Sequence, residues 1–407
     1  MCVIVVVLYR GRCKYRSRKL REQKPFVRWQ QPPAEWHDIL PHSVYKDYTC
    51  SSITARAGRT RMAKVIVTGG AGYIGSHTVV DLIEQGHDVV SIDNHFNSHP
   101  VMWEHLERLV GRSVPQHDVD LEDREATAAV FAEHADADAV IHFAARIYVG
   151  ESVEKPLVYF RQNLNSMINV LEGVETHGIG AFIFSSSCSV YGNAEKLPVT
   201  EQTPFAEAES PYARTKQMGE HIVADFARAN PSTRCINLRY FNPAGVHASI
   251  GIGEAPVLEQ SRLVPIIVEV GSGRREKLTV FGDDYDTRDG SCVRDYIHVS
   301  DLGSAHTAAV EFALSDDAAS GANPEVFNLG SGQGVTVFEA INAFERVTGV
   351  KLNYVVAGRR DGDVEAIYAT TTKAEEVLGW RPQRDIDEIM RTAWAWESAR
   401  NSMLASA

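Results

Sequence analysis

The sequence is poor in cysteine and has no apolar run long enough to cross a bilayer. Only six cysteines occur in 407 residues: Cys2, Cys13 and Cys50 near the start, then Cys188, Cys235 and Cys292 far apart. No pair has the spacing of a disulfide framework or a zinc site, so a reducing cytoplasm is the expected compartment. The fifteen histidines are also dispersed. His95 and His99 in "HFNSH" lack a third ligand, so no metal site is expected. The chain opens on about eight apolar residues, against the roughly 20 needed to span a membrane. A secretory signal would place its charge before that run and a small-residue cleavage site after it. No membrane association is expected.

Charge is unevenly spread. Residues 1–61 carry 13 Lys and Arg against 4 Asp and Glu, so of the chain's 41 basic and 53 acidic residues the remainder holds 28 and 49, a net of −21. An acidic body does not invite nucleic acid, so any phosphate bound there is held locally, by backbone amides and a few arginines. The head itself, rich in Arg, Lys and Pro, shows no sustained periodicity. "RMAKVIVTGG" then begins a strong strand just after a methionine. We expect Met62 to be the natural start and residues 1–61 to be a disordered or artificial extension. A basic anchoring or nucleic-acid-binding arm is the alternative, and the mass of the native N-terminus decides between them.

What is present is an alternation of strands and helices. "KVIVTGG" (64–70), "HDVVSID" (87–93), "DAVIHFAA" (138–145), "AFIFSSS" (181–187) and "TRCINLRYFN" (233–242) read as strands, the first continuously apolar as in a sheet buried on both faces. Between them lie helical patterns, among them 74–86 and 156–176. This order predicts an α/β fold, a doubly wound parallel sheet with right-handed crossovers.

At the first strand–helix turn, "GGAGYIG" spaces Gly69, Gly72 and Gly75 three apart. Such glycines serve a tight turn, close approach of a pyrophosphate, and packing of helix on strand, and the helix N-terminus offers free N–H groups to phosphate. Asp93 ends the second strand, where a carboxylate accepts from an adenine-ribose hydroxyl and repels a 2′-phosphate. NAD is therefore expected rather than NADP.

"SPYARTK" supplies a second constellation. Ser210 caps a helix, Pro211 suits its first turn, and Tyr212 and Lys216, four apart, share one face. A cation beside a phenol favours the phenolate; taken alone, the stretch also reads as a solvated tyrosine and lysine on an ordinary helix.

The YxxxK spacing, the glycine pattern and the serines of "FSSSCSVYG" resemble the extended short-chain dehydrogenase/reductases, a Rossmann-type superfamily. More narrowly, "TGGAGYIGSH", "SPYARTK", "LRYFNPAGVH", "VFGDDYDTRDGSCVRDYIHVSDL" and "FNLGSG" are similar to UDP-glucose (UDP-galactose) 4-epimerases, from residue 62 to about 400. The resemblance implies reversible interconversion of UDP-galactose and UDP-glucose through a bound 4-keto sugar, with retained NAD. Tyr212 would be the base, Lys216 would hold it acidic, and Ser187 would relay the proton. Gly69, Gly72, Tyr73, Ile74, Asp93, Asn94, Asn97, Asp118, Val119, Phe143, Ala144, Ala145 and Tyr240, with Tyr212 and Lys216, would contact the cofactor. Asn163, Asn242, Phe281, Arg294, Arg360 and Asp363, with Ser187 and Tyr212, would hold the nucleotide sugar. The helices bearing Asn163 and Tyr212 would pair in a homodimer.

The resemblance also implies a NAD-binding domain over 62–244, with 293–316 returning to it, and a smaller mixed α/β substrate domain over 245–292 and 317–407. Four residues depart from or qualify the family pattern. Ile147 stands where many members carry lysine, with Arg146 one place earlier. Arg262 replaces an amide, and Ile367 falls at the position that gates sugar size. Two rivals remain. A nucleotide-sugar dehydratase or decarboxylase is one, but Cys188–Ser189 stand where a dehydratase has an acidic pair. The other is a non-catalytic dinucleotide sensor, which would have no need of Tyr212 and Lys216.

Overall fold

The computed structural model describes residues 62–255, 261–360 and 363–405. The basic head lies outside them, and so do the expectations placed on it. The apolar runs form the expected strands: β1 (Lys64–Thr68), β2 (Asp88–Ile92), β4 (Ala139–His142), β5 (Ala181–Ser187) and β6 (Arg234–Tyr240). They join in one seven-stranded sheet, in the order β10-β6-β5-β4-β1-β2-β3, with every pairing parallel. Its two edges did not announce themselves in the sequence. β3 (Gln116–His117) is only two residues long, and β10 (Glu325–Leu329) arrives from the rear of the chain.

After β1 the chain winds outward through β2 and β3, then returns on the other side of β1 to lay down β4. That reversal opens a crevice beyond the carboxyl ends of β1 and β4, the place where such sheets bind ligands. Helices α1 (Tyr73–Glu84) and α2 (Val101–Val110) connect the first strands. α3 (Arg124–Glu133), α4 (Val149–Glu154), α5 (Pro156–His177) and α6 (Pro211–Ala229) follow. Side chains of α3, α5 and α6, among them Phe131, Met167, Val174 and Val223, pack on Ile66, Val140 and Phe182 of the sheet. Ser210 caps α6 as expected: its side chain accepts from the Ala213 N–H, and Pro211 opens the helix.

The rear half builds β7 (Asn242–Ala244), α7 (Leu263–Gly271), β8 (Leu278–Phe281), β9 (Val293–His298), α8 (Val299–Ala313), β11 (Gly334–Thr336), α9 (Val337–Thr348), β12 (Tyr354–Ala357), β13 (Ala366–Ile367) and α10 (Ile386–Ala405). Here one expectation needs correction. The segment 293–316 does not return whole to the main sheet. β9 pairs with β7, β11 and β13 in a separate sheet, while α8 packs against α1, β5 and β6. The strand that completes the main sheet is β10, which follows them. The stretch "ATTTKAEEVLGW" forms a single wide turn, Ala374–Leu378. A second core joins α7, α9 and α10 through Ile267, Phe344 and Ile389.

Candidate active site

The crevice is built first by glycine. Gly69 ends β1 with φ +73, and a Cβ there would lie 2.8 Å from the Ala144 N. The two loops therefore meet at a distance only glycine allows. A Cβ on Gly75 would collide with the Gly69 carbonyl, so the third glycine lets α1 close on the turn. Gly72 is the N-cap of α1, and no side chain caps it. Its neighbours leave it free of close contact except with the Gly69 carbonyl, and it lines the cavity. An open helix N-terminus behind a bare glycine suits a pyrophosphate.

Asp93 stands at the end of β2, on the cavity wall. Its carboxylate accepts from the Ala71 N–H at 3.0 Å and the His95 N–H at 2.9 Å. Burial pushes its carboxyl above the ordinary range, and those N–H donors hold it back. Asn94 donates to Asp120 at 3.2 Å, and Asn97 donates to the Tyr148 hydroxyl at 3.0 Å. Tyr73, Ile74, Phe143, Ala144, Ala145 and Tyr240 also line the cavity. On the adenine side the wall consists of Val119, Asp120 and Leu121, while Asp118 is exposed and outside it. Glycines that make room for an anion, with a carboxylate one strand away, fit NAD.

Ser187 ends β5, and Tyr212 and Lys216 face it from the first turns of α6; all three are buried. The Ser187 hydroxyl accepts from the Ser189 N–H at 3.2 Å and lies close enough to the Tyr212 hydroxyl to favour its ionised form. The lysine does not behave as expected. Its ammonium donates to the Ser185 carbonyl at 2.8 Å and lies 5.9 Å from the centre of the Tyr212 ring. Burial pulls Lys216 down to about 8, opposed by Glu220. Burial also pushes Tyr212 up to about 12; the Ser187 hydroxyl and the Arg262 guanidinium hold it back. The Lys216 ammonium thus meets the Tyr212 ring rather than bonding to its hydroxyl.

Behind the trio, Glu220 takes a bidentate grip from Arg239, at 2.7 and 2.9 Å, and accepts from Ser186 at 2.5 Å. Fully desolvated, this pair fixes α6 against β5 and β6. Asn163 is committed in the same way: it accepts from the Arg146 N–H at 2.7 Å, and its amide donates to the Arg146 carbonyl and to Thr215. It ties the loop after β4 to α6, and its polar atoms are spent on protein. Asn242 donates to the Asp295 carbonyl at 2.9 Å.

The remaining predicted residues converge in the rear half. Asp363 lies between two arginines: Arg360 donates to it at 2.7 and 3.1 Å, and Arg294 approaches to 3.7 Å. Arg360 also lies over the Phe281 ring, 5.3 Å from its centre. A half-exposed aromatic beside two guanidiniums offers a stacking face and a phosphate fork. Ile367, paired with Arg294, is buried with Tyr191, Val199 and Phe241.

Sequence reasoning left Arg262 unassigned. It precedes α7, lines the cavity, and is ion-paired with Glu254 from the same wall. Tyr73, Tyr148, Tyr212 and Tyr240 surround it. The one signal was the departure at "SRLVP". Arg146 lines the cavity too, stacked 4.0 Å from the Phe96 ring centre and paired with Glu151.

Residues 66–393 match the family model described as GDP-mannose 4,6 dehydratase. UDP-glucose 4-epimerase 2 of Arabidopsis thaliana is 47% identical over 83% of this chain and 96% of its own. Among solved structures, the UDP-glucose-4-epimerase of Stenotrophomonas maltophila, crystallised with NAD and formylated UDP-arabinopyranose, superposes with a TM-score of 0.80. It is 43% identical and matches 84% of this chain and 99% of its own. The UDP-glucose 4-epimerase of Bifidobacterium longum, solved with NAD+ and UDP, gives 0.77 at 41% identity, covering 82% and 97%. The dehydratase description does not carry over to the chemistry: Cys188 and Ser189 fill the place of the acidic pair, and burial pushes the Cys188 thiol up to about 12. By sequence and fold the chain belongs to the UDP-glucose 4-epimerase family of extended short-chain dehydrogenase/reductases.

Proposed function

We propose that this chain interconverts UDP-galactose and UDP-glucose by inverting C4 of the sugar. The observation that carries this is the buried juxtaposition of Ser187, at the end of β5, with Tyr212, in the first turn of α6, beside Tyr240 and Arg262 on the wall of the dinucleotide cavity. Gly69, Gly72, Tyr73 and Ile74 would hold NAD, which would supply the acceptor for the C4 hydride and the donor for its return to the opposite face of the sugar. The protein moves the proton. Ser187 Oγ accepts from the sugar 4-hydroxyl and relays the proton to Tyr212 Oη, which later gives it back. Tyr212 must therefore stand as phenolate before the relay begins; the Arg262 guanidinium and the positive charge of bound NAD+ would favour that form, which is restored when the proton returns. Lys216, anchored on Ser185, keeps a positive charge beneath the ring.

Arg294 and Arg360 exchange part of their hold on Asp363 for the diphosphate, and Phe281 stacks on the base. That grip keeps the 4-keto sugar bound while it turns about its nucleotide linkage. Ile367 leaves a sugar pocket of intermediate width, so UDP-GlcNAc is turned over weakly; an assay showing none above background would overturn that reading.

A homodimer fits the surface. α4 and α5 expose Val149, Val153, Leu157 and Ile168, and α6 exposes Met218, an apolar face unusual for a lone helix pair. No helix among the described residues is long and apolar enough to cross a membrane. Cytoplasmic residence and separate NAD and sugar domains complete the proposal.

The test is incubation of purified protein with UDP-galactose and no added NAD. Wild type forms UDP-glucose, and Tyr212→Phe loses about a hundredfold or more, the scale of a lost acid–base group. Equal rates in the two proteins would refute the assignment.

A further inference from the structure

The sequence spreads its histidines so widely that no metal site is legible, yet the fold brings two of them together at the edge of the main sheet. His117 ends β3 and His134 caps the C-terminus of α3. Their Nε2 atoms face each other at 2.8 Å, with the rings nearly perpendicular and 5.0 Å between centres. The Glu133 carboxylate lies 3.9 Å from the same His134 nitrogen. His134 is buried, while Glu133 is 64% exposed and can swing.

We propose that His117, His134 and Glu133 form a binding site for a divalent transition metal such as Zn2+. All three donors lie within 4.8 Å of one another. Tetrahedral coordination at the usual Zn–N length sets the two nitrogens about 3.3 Å apart, so the rings open by about half an ångström and the carboxylate closes by a similar amount. Two imidazoles and one carboxylate leave a fourth position to water, as in open rather than structural zinc sites.

A hydrogen bond between the two rings explains their distance only if one is the Nε2–H tautomer and the other accepts. That pairing uses a single proton and leaves the Glu133 carboxylate without a part. Among the described residues Lys64 is a cation close to the site, and Asp136 pairs with it at 2.5 Å.

The location gives the ion a consequence. β3 is a two-residue edge strand held to β2 by pairing at Ser91 and Ile92, and the His117 carbonyl accepts the Asp93 N–H at 3.1 Å. Val119, Asp120 and Leu121, which follow directly, form the adenine-side wall. A metal would clamp this weak edge to α3 and stiffen that wall without touching the proton relay.

The experiment uses holoprotein freed of metal by chelation, titrated with Zn2+ by calorimetry and with Co2+ by visible absorption. One equivalent per chain is expected, with Co2+ giving the intense bands of low coordination. His134→Ala should weaken that binding at least tenfold and Glu133→Gln by a smaller factor, and Zn2+ should raise the melting temperature most for wild type, less for Glu133→Gln and least for His134→Ala. Diethyl pyrocarbonate footprinting of wild type, read by mass spectrometry, should show His117 and His134 protected by Zn2+. It needs no variant to fold. Unchanged affinity in His134→Ala, or both histidines modified equally with and without Zn2+, would place the ion elsewhere and overturn the proposal. So would the absence of saturable binding.

Discussion

The Lys216 ammonium is bonded to the Ser185 carbonyl, not to the Tyr212 hydroxyl four residues away on the same helix. Its charge is therefore costly to the fold, since burial, partly offset by Glu220, pulls it from 10.5 to about 8. Below about pH 8 both folded and unfolded chains carry the proton, and the folded one bears the desolvation. Between about 8 and 10.5 the folded chain sheds the proton first, so stability rises with pH across that window. Lys216→Met lacks the rise. Denaturant midpoints should favour the variant by on the order of 3 kcal/mol at about pH 7, and the gap should shrink towards about pH 10. A constant gap would contradict the placement of this charge.

We propose that Arg262 shares the part that the resemblance gives to the lysine. Tyr212 is faced by Ser187 and Cys188 after β5, Tyr240 at the end of β6, Lys216 on its own helix and Arg262 before α7; of these, Arg262 is the cation that lowers the phenol. Arg262→Gln should move the acidic limb of the kcat profile to higher pH and cost about tenfold at neutral pH, with Arg262→Lys between. A higher KM with an unmoved profile would assign Arg262 to the diphosphate alone.

The Glu220–Arg239 pair is 5% and 6% exposed, so neither charge can fall back on water. Glu220→Gln or Arg239→Met should destabilise by about 3–5 kcal/mol in denaturant unfolding, whereas replacing both by apolar residues of similar volume should cost far less. A double-variant loss equal to the sum of the two single losses would show that the pair is not coupled.

The exposed apolar row on α4 and α5 predicts the assembly. Leu157, 76% exposed, sits near its middle. Leu157→Asp should shift sedimentation from dimer to monomer while leaving the fold intact; an unchanged species would move the interface elsewhere.

Most of the cofactor cradle was legible because its signals are local. Gly69, Gly72 and Gly75 lie within seven residues, and Ser210, Pro211, Tyr212 and Lys216 within one helix. Arg262 and Glu254 escaped because a cation's meaning depends on four tyrosines from distant elements, which only the tertiary fold assembles. β3 has too few residues to show a period, and β10 joins the sheet from across the chain. Spacing could place Tyr212 and Lys216 on one face, but not foresee that the Ser185 carbonyl would take the ammonium. Leu157 and Ile168 shared the helical period of Leu171 and Val174, yet only the latter two are buried.

The measurement closest to the central claim follows the hydrogen on C4. UDP-galactose deuterated at C4, turned over in ordinary water, should give UDP-glucose that keeps its deuterium at C4, because the hydrogen leaves and returns within one closed site. Product with C4 deuterium washed out to solvent would mean that the inversion proceeds by another route.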